Sequence, residues 1–185
     1  MQTAGSEGST QPRTGITYSS PETPMASTDQ HPDDPHAARR ELTDADVRAA
    51  RDLATAAHLG QFDKAGVAYI EHPQRVVGHL VSPTNEQAAV AWLHDVVEDT
   101  PTTLEDVEAA FGPLVATGVD AMTHRPGEPS LEYYARVKAN PLALTVKAAD
   151  LADNTDPVRL NALPPELRAR LEAKYAIARR ELGLQ

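Results

Sequence analysis

The amino-acid sequence predicts an all-α fold, a helical bundle around one core. Apolar residues recur at helical spacing between capping residues and prolines, and no segment alternates with the period of a strand. Aromatic residues make up only 4% of a chain that is 41% hydrophobic and rich in alanine, which favours closely packed helices. At 185 residues the chain has room for one domain with a sizeable core, not for two.

Residues 1–40 differ in composition from the rest of the chain. They are rich in Ser, Thr, Pro, Gly and Gln, with almost no aliphatic periodicity. Such a segment cannot bury enough apolar surface to offset the entropy cost of ordering it. We therefore expect a disordered tail, or an over-called start of translation, followed by one folded domain over residues 41–185.

The first three helices are predicted from their starts. The Thr-Asp-Ala-Asp stretch of 43–46 resembles a capping box, and small apolar residues follow at helical spacing. After a glycine-containing loop, His72-Pro73 opens a second helix that extends to about residue 80. Asn85 can cap a third helix over about 86–97, which Thr100-Pro101 ends. Its segment 88–93 is apolar all round, as is typical of a central buried helix.

The second half of the chain predicts five more helices, each from a local signal. In order, the signals are a capping box over 102–105 with Gly112 as terminator, the apolar residues Val115, Val119 and Met122, a stretch that ends at Lys138 after a Pro-Gly loop, an apolar stretch from Pro141, and a charged amphipathic stretch from Pro165 to about Leu182.

Charge and cysteine content narrow the class of function. A net charge of -10 argues against broad affinity for duplex nucleic acid, although a bound metal could still attract a small phosphorylated substrate. Cysteine is absent, which excludes thiolate sites and leaves imidazole and carboxylate as the strong metal ligands. The sequence has no apolar run of membrane-spanning length and no signal-peptide pattern, so we expect a cytoplasmic protein.

Four ionisable residues occur where the helical pattern calls for apolar ones. They lie on three predicted helices and are His72, His94, Asp95 and Asp150. Buried charges must pair or bind a metal, and successive helical residues project about 100° apart, so His94 and Asp95 can approach one ion. Two imidazoles and two carboxylates suit Mn²⁺, Fe²⁺, Co²⁺ or Zn²⁺. Lys147 and Asn154 share a helix face with Asp150.

Glu98 and Asp99 lie one turn beyond the His94-Asp95 pair. Negative charge is unfavourable near a helix C-terminus, by roughly 0.3–1 kcal/mol for each group. Two such residues beside candidate metal ligands indicate a functional reason, since a carboxylate there can take a proton from water or donate one to a leaving group.

Three segments together resemble the hydrolase half of the RelA/SpoT family and its small stand-alone alarmone hydrolases. The segments are Gly60-Gln61-x-x-Lys64-x-Gly66-x-x-Tyr69-Ile70-x-His72-Pro73, Leu93-His94-Asp95-Val96-Val97-Glu98-Asp99-Thr100 and Val146-Lys147-x-Ala149-Asp150-x-x-x-Asn154. The resemblance covers about residues 43–182, and its most specific part is the His-Asp-x-x-Glu-Asp element.

The resemblance implies an HD-domain helical bundle that removes the 3′-pyrophosphate from alarmone nucleotides such as ppGpp or ppApp. It implies Mn²⁺ held by His72, His94, Asp95 and Asp150. It assigns activation of the attacking water to Glu98 and Asp99, and nucleotide binding to Lys64 and Asn154. A stand-alone hydrolase of this kind could neutralise a toxic alarmone synthetase through that enzyme's product.

Two departures from the family pattern concern the nucleotide pocket. Asp63 stands where the family commonly has a basic residue, and Thr155-Asp156-Pro157 replaces an arginine-containing turn. Both changes predict a more acidic pocket, so adenine alarmones or a 3′-pyrophosphorylated RNA end are also candidate substrates. The sequence is compatible, too, with a different HD phosphohydrolase, such as a nucleotidase or phosphodiesterase, and with a non-catalytic binding or antitoxin module.

Overall fold

The computed structural model describes residues 41–184, in which ten α-helices and no β-strand occur. The predicted all-α fold is confirmed for these residues, whereas the predicted disorder of residues 1–40 lies outside them. The helices are α1 (Asp44–Ala57), α2 (Glu71–His79), α3 (Asn85–Leu93), α4 (Val96–Asp99), α5 (Leu104–Phe111), α6 (Pro113–Met122), α7 (Ser130–Ala139), α8 (Pro141–Asn154), α9 (Pro157–Asn161) and α10 (Pro165–Leu182). None of them is long and apolar enough to cross a membrane.

The core is organised around α3 and α8. Helix α3 packs against α1, α2, α6 and α8, and α8 also contacts α2, α6, α7 and α10. All six residues of the predicted apolar segment 88–93 are buried. Helix α6 crosses this pair closely because Gly118 lacks a side chain: a Cβ there would lie 2.8 Å from Val90 Cγ2 and 3.0 Å from Leu142 Cδ2. The absence of a side chain at this position therefore allows α6 to pack closely against both α3 and α8.

Several predicted helix signals occur as expected. Thr43 caps α1, with the Asp46 side chain accepting from the Thr43 amide at 2.8 Å. Gly112 ends α5 with a φ of 83°, a conformation that glycine adopts at no steric cost. Pro141 is the first residue of α8, and the Asn140 side chain accepts from two amides of its first turn. Helix α10 has the predicted bounds.

Two predicted caps are displaced by one residue. Thr84, not Asn85, caps α3, and it forms a capping box with Gln87. Asn85 instead donates from Nδ2 to the carbonyl of Leu42 at 2.7 Å. The capping box of α5 is formed by Thr103 and Asp106 rather than by residues 102–105. In each case adjacent polar residues offer similar local signals, and at α3 the contact of Asn85 with Leu42 leaves Thr84 as the cap.

The prediction of one continuous third helix over 86–97 is wrong. Helix α3 ends at Leu93, and the short α4 begins at Val96 after a break at His94 and Asp95. Asp95 has φ -107° and ψ -5°, outside regular helical geometry. The break falls at the two residues that carry the His-Asp motif.

Candidate active site

Three buried side chains from three helices converge on one point. His72 comes from the first turn of α2, His94 from the end of α3 and Asp150 from α8, and each is at most 5% exposed. His72 Nε2 lies 3.3 Å from His94 Nε2 and 3.2 Å from Asp150 Oδ1. Together these atoms form a group able to hold a metal ion.

The ring orientations make this cluster a site for a cation. His72 donates from Nδ1 to Asp153 Oδ2 at 2.7 Å, and His94 donates from Nδ1 to the Ala91 carbonyl at 2.8 Å. Because each Nδ1 carries a proton in its hydrogen bond, the two Nε2 atoms, which face each other in a buried space, are the ring nitrogens left to bind a cation. A divalent ion accepted by both nitrogens and by the adjacent carboxylate fits these residues.

Asp95 lies beside this group rather than at equal distance from all its members. Its Oδ2 is 3.0 Å from His94 Nε2 and 3.6 Å from His72 Nε2. The same oxygen accepts a hydrogen bond from the Tyr69 hydroxyl at 2.6 Å. The break between α3 and α4 allows the side chains of two consecutive residues to point to one centre. All four predicted ligands are therefore neighbours, and their role as ligands stays a prediction.

Without a bound cation, the neighbouring carboxylates favour protonated imidazoles, and a cation would replace the proton on Nε2. Burial lowers the pKa of His72, but hydrogen bonds with Asp150 and Asp153 outweigh burial and raise that pKa to about 9. Burial opposes ionisation of Asp150, yet Lys147 and the two imidazoles hold its pKa well below the usual range. The carboxylates therefore stay ionised, and the centre attracts positive charge.

Asp150 is held by two further residues of its own helix. Lys147 Nζ donates to Oδ2 at 2.7 Å, and Asn154 Nδ2 donates to Oδ1 at 2.5 Å. The shared helix face predicted for these residues thus produces an i, i+3 ion pair with Lys147, while Oδ1 of Asp150 lies 3.2 Å from His72 Nε2. Asn154, assigned to nucleotide binding by resemblance, thus contacts a candidate metal ligand directly.

Glu98 and Asp99 reach the same cavity from α4. Glu98 Oε2 accepts from the backbone amide of His124 at 2.8 Å. Burial raises the pKa of both carboxyls, and the charge of Asp95 raises them further. Both residues line the cavity, so these carboxyls with raised pKa values can exchange a proton with water beside the cluster.

An ion pair fixes the loop that carries His124. Arg136 contacts both carboxylate oxygens of Glu128, and it also donates to the carbonyl of Thr123 at 2.9 Å. Arg136 is therefore held by Glu128 and Thr123 and is not a free surface cation.

Three residues of the cluster, His72, Asp95 and Asp150, line a cavity of about 590 Å³, and His94 lies directly behind them. Both predicted nucleotide-binding residues, Lys64 and Asn154, line it, and no ion pair of Lys64 is found within residues 41–184. Arg159 also lines the cavity and lies 3.1 Å from Asp63. Asp63 therefore does not add an uncompensated charge, and the expectation of a more acidic pocket is corrected at this position.

Helix α9 supplies that arginine and was not predicted. Asp156 accepts from the amides of Val158 and Arg159 at 2.8 and 3.1 Å, and Pro157 occupies the first helical position. The Thr-Asp-Pro sequence of 155–157 thus begins a helix that places the side chain of Arg159 at the cavity. The signal was present in the sequence as an Asp-Pro helix start.

This chain is similar to known proteins in both sequence and fold. A family described as the HD domain matches residues 50–141, which include His72, His94, Asp95 and the Glu98-Asp99 pair. This chain carries an HD domain. The match ends before Asp150, so the third element of the site comes from α8, beyond the matched segment.

The relatives of this HD domain are hydrolases of the SpoT type. It is 36% identical over 133 residues to a guanosine-3′,5′-bis(diphosphate) 3′-pyrophosphohydrolase of Haemophilus influenzae, which covers 64% of this chain and 19% of that protein. It is 34% identical over 136 residues to the bifunctional (p)ppGpp synthase/hydrolase SpoT of Escherichia coli K12, covering 68% and 19%. The chain thus spans about a fifth of the length of these two relatives.

Two shorter relatives are also similar. The guanosine-3′,5′-bis(diphosphate) 3′-pyrophosphohydrolase MESH1 of Danio rerio is 40% identical over 74 residues, covering 38% of this chain and 41% of that protein. The solved structure of a metazoan ortholog of SpoT, described as hydrolysing ppGpp, superposes with a TM-score of 0.63 at 25% identity. That match covers 76% of this chain and 87% of the other.

Proposed function

We propose that this HD domain is a metal-dependent hydrolase that removes pyrophosphate from the 3′ position of alarmone nucleotides. The observation that carries the proposal is the convergence of His72, His94, Asp95 and Asp150 beside a cavity that Lys64 and Asn154 line. The names of the relatives supply the substrate class. Water would attack the phosphorus attached to the 3′ oxygen, and the products would be pyrophosphate and a nucleotide with a free 3′-hydroxyl.

His72, His94, Asp95 and Asp150 would hold the divalent ion. When bound, such an ion lowers the pKa of a water molecule and polarises a phosphoryl oxygen. The imidazoles contribute Nε2 lone pairs whose direction is set by their Nδ1 hydrogen bonds. We propose Mn²⁺, with Fe²⁺, Co²⁺ and Zn²⁺ as alternatives, because nitrogen and carboxylate ligands without sulfur suit all four.

The Glu98-Asp99 pair would handle the proton. One carboxylate accepts the proton of the attacking water, and its raised pKa makes it a better acceptor than an ordinary carboxylate. A carboxyl that holds a proton can return it to the departing 3′ oxygen. Glu98 is positioned for either task by the amide of His124, which contacts one oxygen and leaves the other free.

Lys64 and Asn154 would bind the phosphorylated nucleotide. Lys64 is exposed on the loop that forms one wall of the cavity, so its ammonium group can pair with a phosphate. Asn154 already donates to Asp150, and its remaining donor and acceptor capacity faces the same cavity. Since Arg159 neutralises Asp63, we propose both ppGpp and ppApp as candidate substrates, and hydrolysis of either could neutralise a toxic alarmone synthetase.

The test is hydrolysis of defined nucleotides. Protein freed of metal and reloaded with Mn²⁺ is incubated with ppGpp or ppApp, and pyrophosphate and orthophosphate are measured separately. Release of intact pyrophosphate supports the proposal. Release of orthophosphate alone would indicate a nucleotidase or another HD phosphohydrolase, and no turnover of either nucleotide would remove the proposal.

A matched pair of lysine variants links the reaction to this cavity. Lys64→Gln should raise KM because it removes a cation from the cavity wall. Lys138→Gln removes the same charge from an exposed position of α7 that does not line the cavity, and it should leave KM unchanged. An equal rise of KM in the two variants would mean that substrate binding depends only on the net charge of the protein.

A further inference from the structure

Asp153 is a buried carboxylate that the sequence did not single out. It lies in α8, is 1% exposed, and accepts hydrogen bonds from three cationic or imidazole side chains. His72 Nδ1 and Arg75 Nε each donate to it at 2.7 Å, and the Arg159 guanidinium contacts it as well. Such a concentration of donors on one carboxylate fixes its position and keeps it ionised.

The bond from His72 to Asp153 sets the orientation of a candidate metal ligand. It holds the proton on Nδ1 and turns Nε2 toward His94 and Asp150. A carboxylate behind a metal-binding imidazole also makes the imidazole a stronger ligand. The position of Asp153 therefore controls how well the centre can bind a cation.

Arg159 connects this carboxylate to the opposite wall of the cavity. Its guanidinium contacts Asp153 and also lies 3.1 Å from Asp63 Oδ2. Asp63 organises the segment of residues 61–69, here called the Lys64 loop, by accepting from the amides of Ala65 and Val67 at 2.9 and 3.0 Å. One side chain thus bridges the loop that carries Lys64 and the carboxylate that orients His72.

We propose that Arg159 is a positioning residue that couples the Lys64 loop to the metal ligand His72 through Asp63 and Asp153. The proposal rests on the proposed function in that it assigns metal binding to His72 and substrate binding to Lys64. Substrate that contacts the loop orders it and strengthens the ion pair between Asp63 and Arg159. Arg159 in turn holds Asp153 in its hydrogen bond with His72. Metal binding at His72 orders the loop through the same contacts, because coupling between two sites is reciprocal.

Arg75 provides a matched control on the same carboxylate. It contacts Asp153 from a second cavity, of about 500 Å³, that lies next to His79 and Val158. Arg75 does not line the first cavity, which contains Lys64 and His72, whereas Arg159 lines both cavities. Loss of Arg75 therefore weakens the support of His72 without touching the Lys64 loop.

The experiment compares Arg159→Met, Arg75→Met, Asp63→Asn and the double variant Arg159→Met/Asp63→Asn. Mn²⁺ affinity is measured by calorimetry on the metal-free protein, and KM for ppGpp is measured at saturating Mn²⁺. Arg159→Met and Arg75→Met should each weaken Mn²⁺ binding by roughly 10-fold, at the lower end of the usual effect of a group behind a metal ligand. Only Arg159→Met and Asp63→Asn should raise KM, and the double variant should raise it no further than Arg159→Met alone.

Three outcomes would overturn the coupling. These are an Mn²⁺ affinity of Arg159→Met within twofold of wild type, a KM effect of Arg75→Met equal to that of Arg159→Met, or additive KM effects of Arg159→Met and Asp63→Asn. If Arg159→Met does not fold, Arg159→Lys replaces it, since it keeps the charge but is too narrow to bridge two carboxylates.

Hydrogen exchange separates failure of this inference from failure of the proposed function. If the wild type takes up no Mn²⁺ or hydrolyses no alarmone, the proposed function fails. The coupling is then judged on the metal-free protein by amide exchange at Gly66, Val67 and Tyr69, whose amides bond within the Lys64 loop. Arg159→Met should speed exchange at these amides and Arg75→Met should not, and equal protection in both variants would refute the coupling.

Discussion

The hydroxyl of Tyr69 donates a hydrogen bond to Oδ2 of Asp95, and the two atoms are 2.6 Å apart. That oxygen is the one that faces both imidazoles of the cluster. The Tyr69 ring also packs against His58, with ring centroids 4.7 Å apart. Tyr69 therefore holds a candidate ligand at the point where the break between α3 and α4 would otherwise leave it free to turn.

Tyr69→Phe should weaken metal binding while leaving the fold intact. The substitution keeps the ring contacts but removes the hydrogen bond to Asp95, and loss of such a bond behind a metal ligand lowers affinity by about 10–100-fold. Calorimetric titration with Mn²⁺ measures the change. Tyr133→Phe is the control, because the Tyr133 hydroxyl donates to the carbonyl of Met122 rather than to a cluster residue. A similar loss in both variants would mean that Tyr69 acts only on stability.

Asp95→Ala should abolish metal binding and hydrolysis but keep the helical content. Asp95 precedes α4 without making a capping hydrogen bond, so its loss leaves the helix start unchanged. Metal analysis, pyrophosphate release and circular dichroism check the three expectations. Asp52→Ala, which removes an exposed carboxylate of α1, is the control. An Asp95→Ala protein that still fully protects cells from a toxic alarmone synthetase would indicate a non-catalytic antitoxin.

Two glycine substitutions should change stability in opposite directions. Gly118→Ala forces a Cβ to within 3.0 Å of side chains of Val90 and Leu142, and such overpacking costs about 1–3 kcal/mol. Gly78→Ala places a Cβ in open space within α2 and should stabilise the helix by about 0.5–1 kcal/mol. Urea unfolding measures both. Gly118→Ala at wild-type stability would mean that α6 can move away from α3 and α8 at little cost.

The sequence predicts the all-α fold and the four clustered residues because both depend on local patterns. Apolar spacing and capping residues mark most helices, and polar residues within apolar helices mark the cluster. Asp153 escaped notice because its partner His72 lies 81 residues away, and nothing in the local pattern of α8 distinguishes it from a solvated aspartate. The pairing of Asp63 with Arg159 spans 96 residues and was missed for the same reason.

The other wrong predictions concern the residues at which helices begin and end, and their cause is local. Thr84 and Asn85 are both good capping residues, and the choice between them depends on the contact of Asn85 with Leu42. The break after Leu93 has no glycine or proline to announce it. It lets His94 and Asp95 reach one centre, so the functional site is also where the helical pattern fails.

Glu98→Gln should slow hydrolysis by roughly 10²–10⁴-fold, the usual contribution of a positioned acid or base, without loss of metal binding. The amide side chain can still accept from the His124 backbone but cannot take a proton from water. Burial and the charges of Asp95 and Asp99 raise the pKa of Glu98. In the wild type, kcat/KM should therefore reach its maximum above that pKa and fall as the pH drops through it. The acid limb should therefore lie at higher pH than for an ordinary glutamate.

The same raised pKa determines the sign of the stability effect. A carboxyl whose pKa is higher in the folded than in the unfolded protein lowers stability above its unfolded pKa, and protonation removes that cost as the pH falls. Glu98→Gln should therefore melt at the same or a higher temperature than the wild type at neutral pH, although it is less active. Glu105→Gln, the same change at an exposed position of α5, should alter neither activity nor its pH profile. If the Glu98→Gln protein keeps the wild-type kcat/KM, Asp99 alone accepts the proton.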